Sequence, residues 1–290
     1  MQKVKKAIIP VAGYGTRFLP FTKALPKTML PVVNVPAVQH VIEEAVDSGI
    51  EEIYLIVGRH ANILNAHFSP DSELESVLEK RGNYKSLQAV TKPQNLAKLT
   101  YVVQEEQKGT GHAVLLAEQF INNEPFAVLF GDDLMSAQTP VLKQLISVYE
   151  KHQKTVIGVK HVGYDNVSKY ASCEYSSENS GVYNLSAITE KPAPGTAKSD
   201  LAPLGRYILR PNFFENIKNI KPGFNGEYQL TDALALDING QGLLAYAFEG
   251  NRYDMGDVFG FLQANVEFSL KDEQLKDKMK KYLEDLVKNF

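Results

Sequence analysis

Apolar residues along this chain fall into short continuous runs separated by amphipathic stretches, and the two patterns alternate. Residues 4–11 form a compact, β-branched run ended by Gly13, the mark of a buried strand. After Pro36, Val38, Val41, Ile42 and Ala45 recur at helical spacing and Gly49 stops them, which predicts an amphipathic helix. Further buried strands are predicted over 53–57, 99–104, 126–130 and 155–161. Helices are predicted over 72–82, with Leu74, Val77 and Leu78 turned inward, over 111–121 and over 139–152. This alternation predicts a parallel sheet covered by helices on both faces. Past residue 165 the connections loosen: strands are predicted over 170–175, 181–189, 204–209 and 243–248, and helices over 228–238 and 258–268. No linker-like composition divides the chain and no internal repeat stands out. Residues 1–270 are therefore expected to build one α/β domain around a single mixed, mostly parallel sheet flanked by helices. In residues 271–290, Leu275, Met279, Leu283, Leu286 and Val287 recur at helical spacing among many charges. A C-terminal helical tail is expected there, packed on its own subunit or forming a dimer contact.

One stretch obeys neither period. Pro20, Pro26, Pro31 and Pro36 forbid a regular helix between the first strand and the first helix. Loops longer than about 12–15 residues in compact domains are usually functional or disordered. This one carries Phe18, Leu19, Phe21, Leu25, Met29, Leu30, Val32 and Val33, so it is expected to be packed and ordered. Charge sharpens the picture. Lys3, Lys5, Lys6, Arg17, Lys23 and Lys27 all precede the first acidic residue, Glu43, in a chain of net charge −3. A purely cationic, glycine-bearing segment beside a strand points to an anion site.

Composition narrows the class. With 290 residues, 44% of them hydrophobic and 22% charged, the chain is long enough for a large core and too apolar for disorder. A single cysteine, Cys173, excludes an intrachain disulfide framework and a cysteine-based zinc site, and fits a reducing, cytoplasmic setting. The apolar run after Lys6 is too short for a signal peptide, and no run reaches the roughly 18 apolar residues of a membrane span. The small negative net charge argues against nucleic-acid binding.

The first strand runs into Gly13-Tyr14-Gly15-Thr16-Arg17, where exposed backbone N–H groups can hold phosphate or a base edge. A dinucleotide fingerprint would need glycine where Phe18 stands, and a Walker A loop would need a Gly-Lys-Ser/Thr that is absent. The longer pattern, Gly13-x-Gly15-Thr16-Arg17 followed by Pro20, Lys23, Pro26-Lys27 and Met29-Leu30-Pro31, resembles the signature of the sugar-1-phosphate nucleotidylyltransferases. Gly109-x-Gly111-His112-Ala113, Glu190-Lys191-Pro192 and Gly226-Glu227-Tyr228-Gln229-Leu230-Thr231-Asp232 look like the same family. Residues 72–82 resemble an insertion of its bacterial UTP–glucose-1-phosphate uridylyltransferase branch. The resemblance covers nearly the whole chain, from about residue 5 to 270.

The resemblance implies a Rossmann-like nucleotidyltransferase fold and uridylyl transfer from UTP to glucose 1-phosphate with Mg2+, and a homo-oligomer, dimer or tetramer. A dTTP-dependent thymidylyltransferase and a catalytically silent sugar-nucleotide sensor are the alternatives. The attacking sugar phosphate is already ionised, so such a reaction needs positioning and charge stabilisation rather than a general base. By resemblance, Arg17 grips the nucleotide's β- and γ-phosphates, Lys27 stabilises the reacting phosphate, and Lys23 is a further candidate. Gln104 and the backbone of Ala12, Gly13, Gly15 and Gly109 are expected at the nucleotide, and Ala171, Glu190 and Lys191 at the sugar phosphate. Ala171 stands where relatives usually have glycine. Pro192 is expected to keep the preceding backbone extended. Asp132 and Asp254 are the expected metal carboxylates, with Asp133 a neighbour. Glu227 either lines the sugar pocket or favours a helix dipole. His112 is read as a packing or capping residue.

Overall fold

The computed structural model describes residues 2–288. Nine strands form the main sheet among these residues, in the spatial order Lys98–Val103, Glu52–Val57, Lys6–Pro10, Phe126–Leu129, Leu201–Leu209, Thr155–His161, Leu243–Ala247, Val182–Glu190, Ala171–Asn179. Neighbours pair in parallel except around two strands, Leu201–Leu209 and Val182–Glu190, which run against the rest. The expected mixed, mostly parallel sheet is thus present.

Both faces of the sheet are covered, and the side-chain period shows how. Ala7 and Ile9 enter one core while Ile8 enters the other; Ile53, Leu55 and Val57 alternate with Tyr54 and Ile56 in the same way. Helices Ala37–Asp47 and Val141–His152 close the first face with Val38, Val41, Ile42, Leu142 and Leu145. Helices Phe213–Asn219 and Leu230–Asn239 close the second with Phe213, Phe214, Leu230 and Leu234. The Leu201–Leu209 strand is buried at every position despite Pro203 and Arg206. Its pairing slips between Pro203 and Tyr207, the irregularity that lets a proline sit inside a sheet.

The proline-rich stretch is ordered, as expected, but through three single turns of 3-10 helix, Thr16–Phe18, Phe21–Lys23 and Lys27–Met29. A small third core holds it in place. Leu30 and Val32 meet Leu134, Tyr253, Met255 and Ala264, and Phe18 packs edge-on against Phe261, 5.9 Å between ring centroids. This core joins the loop to a two-stranded ribbon, Asp133–Ser136 with Asn251–Asp254, and to the helix Val258–Ser269.

Several local expectations need correction. The helix Ser72–Lys80 forms, but its apolar residues do not turn inward: Leu74 and Val77 are exposed and no residue of the helix is buried. With the helix Tyr84–Thr91 it makes an outlying pair anchored by caps from Asp71 and Asn83. The helix expected over 111–121 is broken into Thr110–Leu115 and Glu118–Ile121. Lys191 has φ 40, so the residue before Pro192 is left-handed rather than extended; its N–H donates to Tyr170 O at 2.9 Å, which holds the turn. In the tail, the helix Lys276–Val287 forms with no buried residue. Asn289 and Phe290, also expected in it, lie outside the described residues. No helix among the described residues is long and apolar enough to cross a membrane.

Candidate active site

Three parallel strands end at one cleft, where open α/β sheets keep their ligands. After Lys6–Pro10 the chain passes Ala12 and Gly13, after Lys98–Val103 it reaches Gln104, and after Phe126–Leu129 it reaches Asp132. Those residues line a cavity of about 420 Å³ together with Arg17, Lys27, Gly109, Ala171, Glu190, Lys191 and Asp254. Apart from Lys23, Gly15 alone of the expected site residues is not in the wall. It turns the chain from behind with φ 65, and a Cβ there would meet Thr22 Cγ2 at 2.9 Å and Lys27 Cβ at 3.0 Å. The cationic segment divides: Lys5 pairs with Glu51, Lys6 with Glu124 and the carbonyls of Phe120 and Ile121, and Lys23 is exposed outside the cleft. Arg17 and Lys27 are the segment's cations that reach it.

The acidic end of the cleft is built around a glycine. A Cβ on Gly256 would lie 2.9 Å from Asp254 Oδ1, 3.1 Å from Asp132 Oδ2 and 3.1 Å from Arg17 Nη2. Two carboxylates and a guanidinium therefore converge on one point that only a residue without a side chain leaves open. Arg17 makes no hydrogen bond or ion pair among the described residues, whereas Lys27 Nζ donates to Asp132. Burial works to raise the Asp132 carboxyl, but the Lys27 ammonium and then the Arg252 guanidinium outweigh it and hold it below the usual carboxylate range. No group of three or more His, Cys, Asp or Glu fit to hold a metal occurs among the described residues. Two carboxylates facing this cleft nevertheless suit a hard cation such as Mg2+, which takes one or two protein carboxylates and completes its shell with water and substrate phosphate.

Two arginines that sequence reasoning missed brace this end. Arg252 Nε donates to Asp133 Oδ1 at 2.6 Å, Nη1 to Tyr170 Oη at 3.0 Å, and Nη2 lies 3.3 Å from Asp254 Oδ2. Its position two residues before Asp254 on one strand was a readable signal, since such residues share a face. Arg206, fully buried, donates to both oxygens of Glu44 and to the carbonyls of Gly205 and Asp133. It fixes the backbone from which Asp132 projects. Asp133 is buried in this network, a neighbour of the cleft carboxylates as expected.

At the other end, strand register sets Glu190 opposite Ala171, and the left-handed turn at Lys191 follows at once. Glu190 Oε2 accepts from Thr231 Oγ1 at 2.7 Å, and Oε1 lies 3.8 Å from Lys191 Nζ. Ala171 is buried beside them. Glu227 lines the cleft, and its Oε2 accepts from Gln229 Nε2 at 2.9 Å. Gly109 and Gly111 let the two loops touch: Gly111 N donates to Tyr228 O and Tyr228 N to Lys108 O, each at 2.8 Å. A Cβ on Gly109 would meet Tyr228 O at 2.7 Å. The arrangement offers cations and paired carboxylates for phosphates, a buried amide at Gln104 for a base edge, and a carboxylate–ammonium pair for a second polar substrate.

Comparison with known proteins agrees. Residues 6–270 match the nucleotidyl transferase family. The chain is 45% identical over 286 residues to a UTP–glucose-1-phosphate uridylyltransferase of Staphylococcus epidermidis, with 99% of each chain covered. A solved UDP-glucose pyrophosphorylase complexed with UDP-glucose is 40% identical, with TM-score 0.84 over 93% of this chain and 100% of its own. A UTP-bound enzyme of the same kind from Acinetobacter baumannii is 34% identical, with TM-score 0.89 over 98% of this chain and 99% of its own.

Proposed function

The chain belongs to the nucleotidyl transferase family, and from that premise we propose that it transfers a uridylyl group from UTP to glucose 1-phosphate, giving UDP-glucose and pyrophosphate. The observation that carries this reading is the 45% identity to a uridylyltransferase over 99% of both chains, on a cleft that holds the complementary charges. An oxygen of the sugar phosphate attacks the α-phosphorus of UTP in line, and the bond to the pyrophosphate leaving group breaks. Arg17, which has no protein partner among the described residues, takes the β- and γ-phosphates through its planar fork. Lys27 leaves Asp132 for the reacting phosphate and offsets the charge that builds there. Asp132 and Asp254 would hold Mg2+, which when bound supplies Lewis-acid neutralisation of phosphate charge. Gln104 and the backbone at Ala12, Gly13 and Gly109 hold the uracil; Glu190 accepts from sugar hydroxyls, Lys191 holds the sugar's phosphate, and the Ala171 N–H meets the sugar.

The working enzyme is a homo-oligomer in this reading. Tyr282 and Val287 on the tail helix, and Phe259 and Leu262 on the helix before it, are exposed apolar residues suited to a second copy. A cytoplasmic setting fits the one cysteine, Cys173, a buried free thiol. Incubation with UTP, glucose 1-phosphate and Mg2+ tests the proposal: UDP-glucose and pyrophosphate should appear in equal amounts. Binding of UDP-glucose without any turnover would instead make the chain a silent sensor.

A further inference from the structure

Gln104 is a buried side-chain amide in the wall of the cleft, and a glutamine amide can read a base in two opposite senses. Its NH2 group and its carbonyl oxygen exchange places on a half-turn. A uracil presents an N3–H donor between two carbonyl oxygens. A cytosine presents a lone pair at N3 beside an amino group. The carbonyl of Gln104 suits the first and its NH2 suits the second, so whatever fixes the amide fixes the base.

The structure shows what fixes it. Gln104 Nε2 lies 3.0 Å from His112 Nδ1 and 3.5 Å from Gly109 O. A carbonyl only accepts, so Gly109 O favours the donor side of the amide here, and Nδ1 is then the unprotonated nitrogen of the imidazole. Gln104 Oε1 meets no donor among the described residues. We propose that His112 is a positioning residue for base selection: as the Nε2–H tautomer it accepts from Gln104 and so turns the Gln104 carbonyl toward the base, selecting the N3–H of uracil over the N3 lone pair of cytosine. The proposal rests on the uridylyl-transfer reading and names what gives that reading its pyrimidine preference. The imidazole's surroundings keep it neutral. Burial first and the Lys108 ammonium second lower its pKa, with the Glu106 carboxylate opposing them. Its place in the helix Thr110–Leu115 holds the ring within reach of the strand end that carries Gln104.

Pyrophosphate release with UTP and with CTP, at saturating glucose 1-phosphate, tests this on the unaltered enzyme, His112→Ala and His112→Asn. Turnover of UTP by the unaltered enzyme tests the uridylyl reading by itself; the UTP-to-CTP ratio across variants tests His112. His112→Ala should lower the ratio of kcat/KM values by about tenfold, the worth of one good hydrogen bond, with the loss in KM for UTP rather than in kcat. His112→Asn, whose Oδ1 can accept where Nδ1 did, should restore most of the ratio. An unchanged ratio in His112→Ala overturns the proposal, and so does an equal fall in both variants. Should His112→Ala not fold, nitrogen NMR of the unaltered enzyme with 15N-labelled histidine decides: Nδ1 unprotonated and Nε2 protonated is expected, and a protonated Nδ1 at neutral pH overturns it.

Discussion

Gly256→Ala tests the convergence at the acidic end with a single methyl group. The residue's φ is not in the left-handed region, so its backbone admits alanine, and any effect must come from the methyl. That methyl would sit 2.9 Å from Asp254 Oδ1 and 3.1 Å from both Asp132 Oδ2 and Arg17 Nη2. Contact becomes ordinary near 3.4 Å, so Asp254 must retreat by about 0.5 Å and the other two by about 0.3 Å. All three displacements widen the space in which the proposed metal and triphosphate would be held. Misplacement by 1 Å can cost about 100-fold in rate, so shifts of this size predict a fall in kcat of about fourfold to tenfold, or ~0.8–1.4 kcal/mol of transition-state stabilisation. The Mg2+ concentration for half-maximal rate should rise in step, because both carboxylates are displaced. Steady-state pyrophosphate release over a Mg2+ titration reads both quantities, and a thermal melt checks that the fold is retained. A variant with unaltered kcat and unaltered Mg2+ dependence would refute the claim that Asp132, Asp254 and Arg17 act on one shared point.

Further outcomes follow from the same geometry. Asp132→Ala should abolish Mg2+-dependent turnover, while Lys191→Ala should raise KM for glucose 1-phosphate and leave KM for UTP little changed; full activity of the first at ordinary Mg2+ would contradict the metal assignment. Glu44→Ala leaves the fully buried Arg206 without its carboxylate, so urea unfolding should show a loss of about 3–5 kcal/mol, and a loss under 1 kcal/mol would contradict the bracing role. His40, His60, His67 and His112 are all held below the usual histidine value of 6.5, first by burial. Below that value the unfolded chain takes up protons that the folded chain refuses, so stability should fall as pH drops through about 6.5 toward 5. A melting temperature that rises over that range would contradict it.

What could be read from sequence follows from where apolar residues are dense. The strands Lys6–Pro10, Glu52–Val57 and Thr155–His161 are buried on both faces and announce themselves as continuous runs. The helix Ala61–Phe68 buries only Leu64 and Phe68, and Tyr84–Thr91 buries nothing, so neither brings the dense apolar run that marks the core elements. The reversed strand Leu201–Leu209 inserts between Phe126–Leu129 and Thr155–His161, a long-range pairing that no local pattern encodes. In the site, residues within motifs were legible, because their spacing is a property of one segment. The convergence of Arg17, Asp132 and Asp254 on Gly256 was not, since three distant segments create it. Nor was the part of Arg206, whose partners Glu44 and Asp133 lie 162 and 73 residues away along the chain. The inward turn expected for Leu74 and Val77 failed for the opposite reason: a helical period was present, but its neighbour Tyr84–Thr91 leaves both residues exposed.

The central claim is uridylyl transfer, and pyrophosphate release with glucose 1-phosphate and Mg2+ across UTP, dTTP, ATP, CTP and GTP tests it most directly. Uracil and thymine share their hydrogen-bonding edge and differ by one methyl, worth about 1–3 kcal/mol at best, so dTTP is the demanding comparison. The account predicts the highest kcat/KM for UTP, with dTTP the nearest competitor and CTP well below both. Preference for dTTP, or no release with any nucleotide, would contradict it.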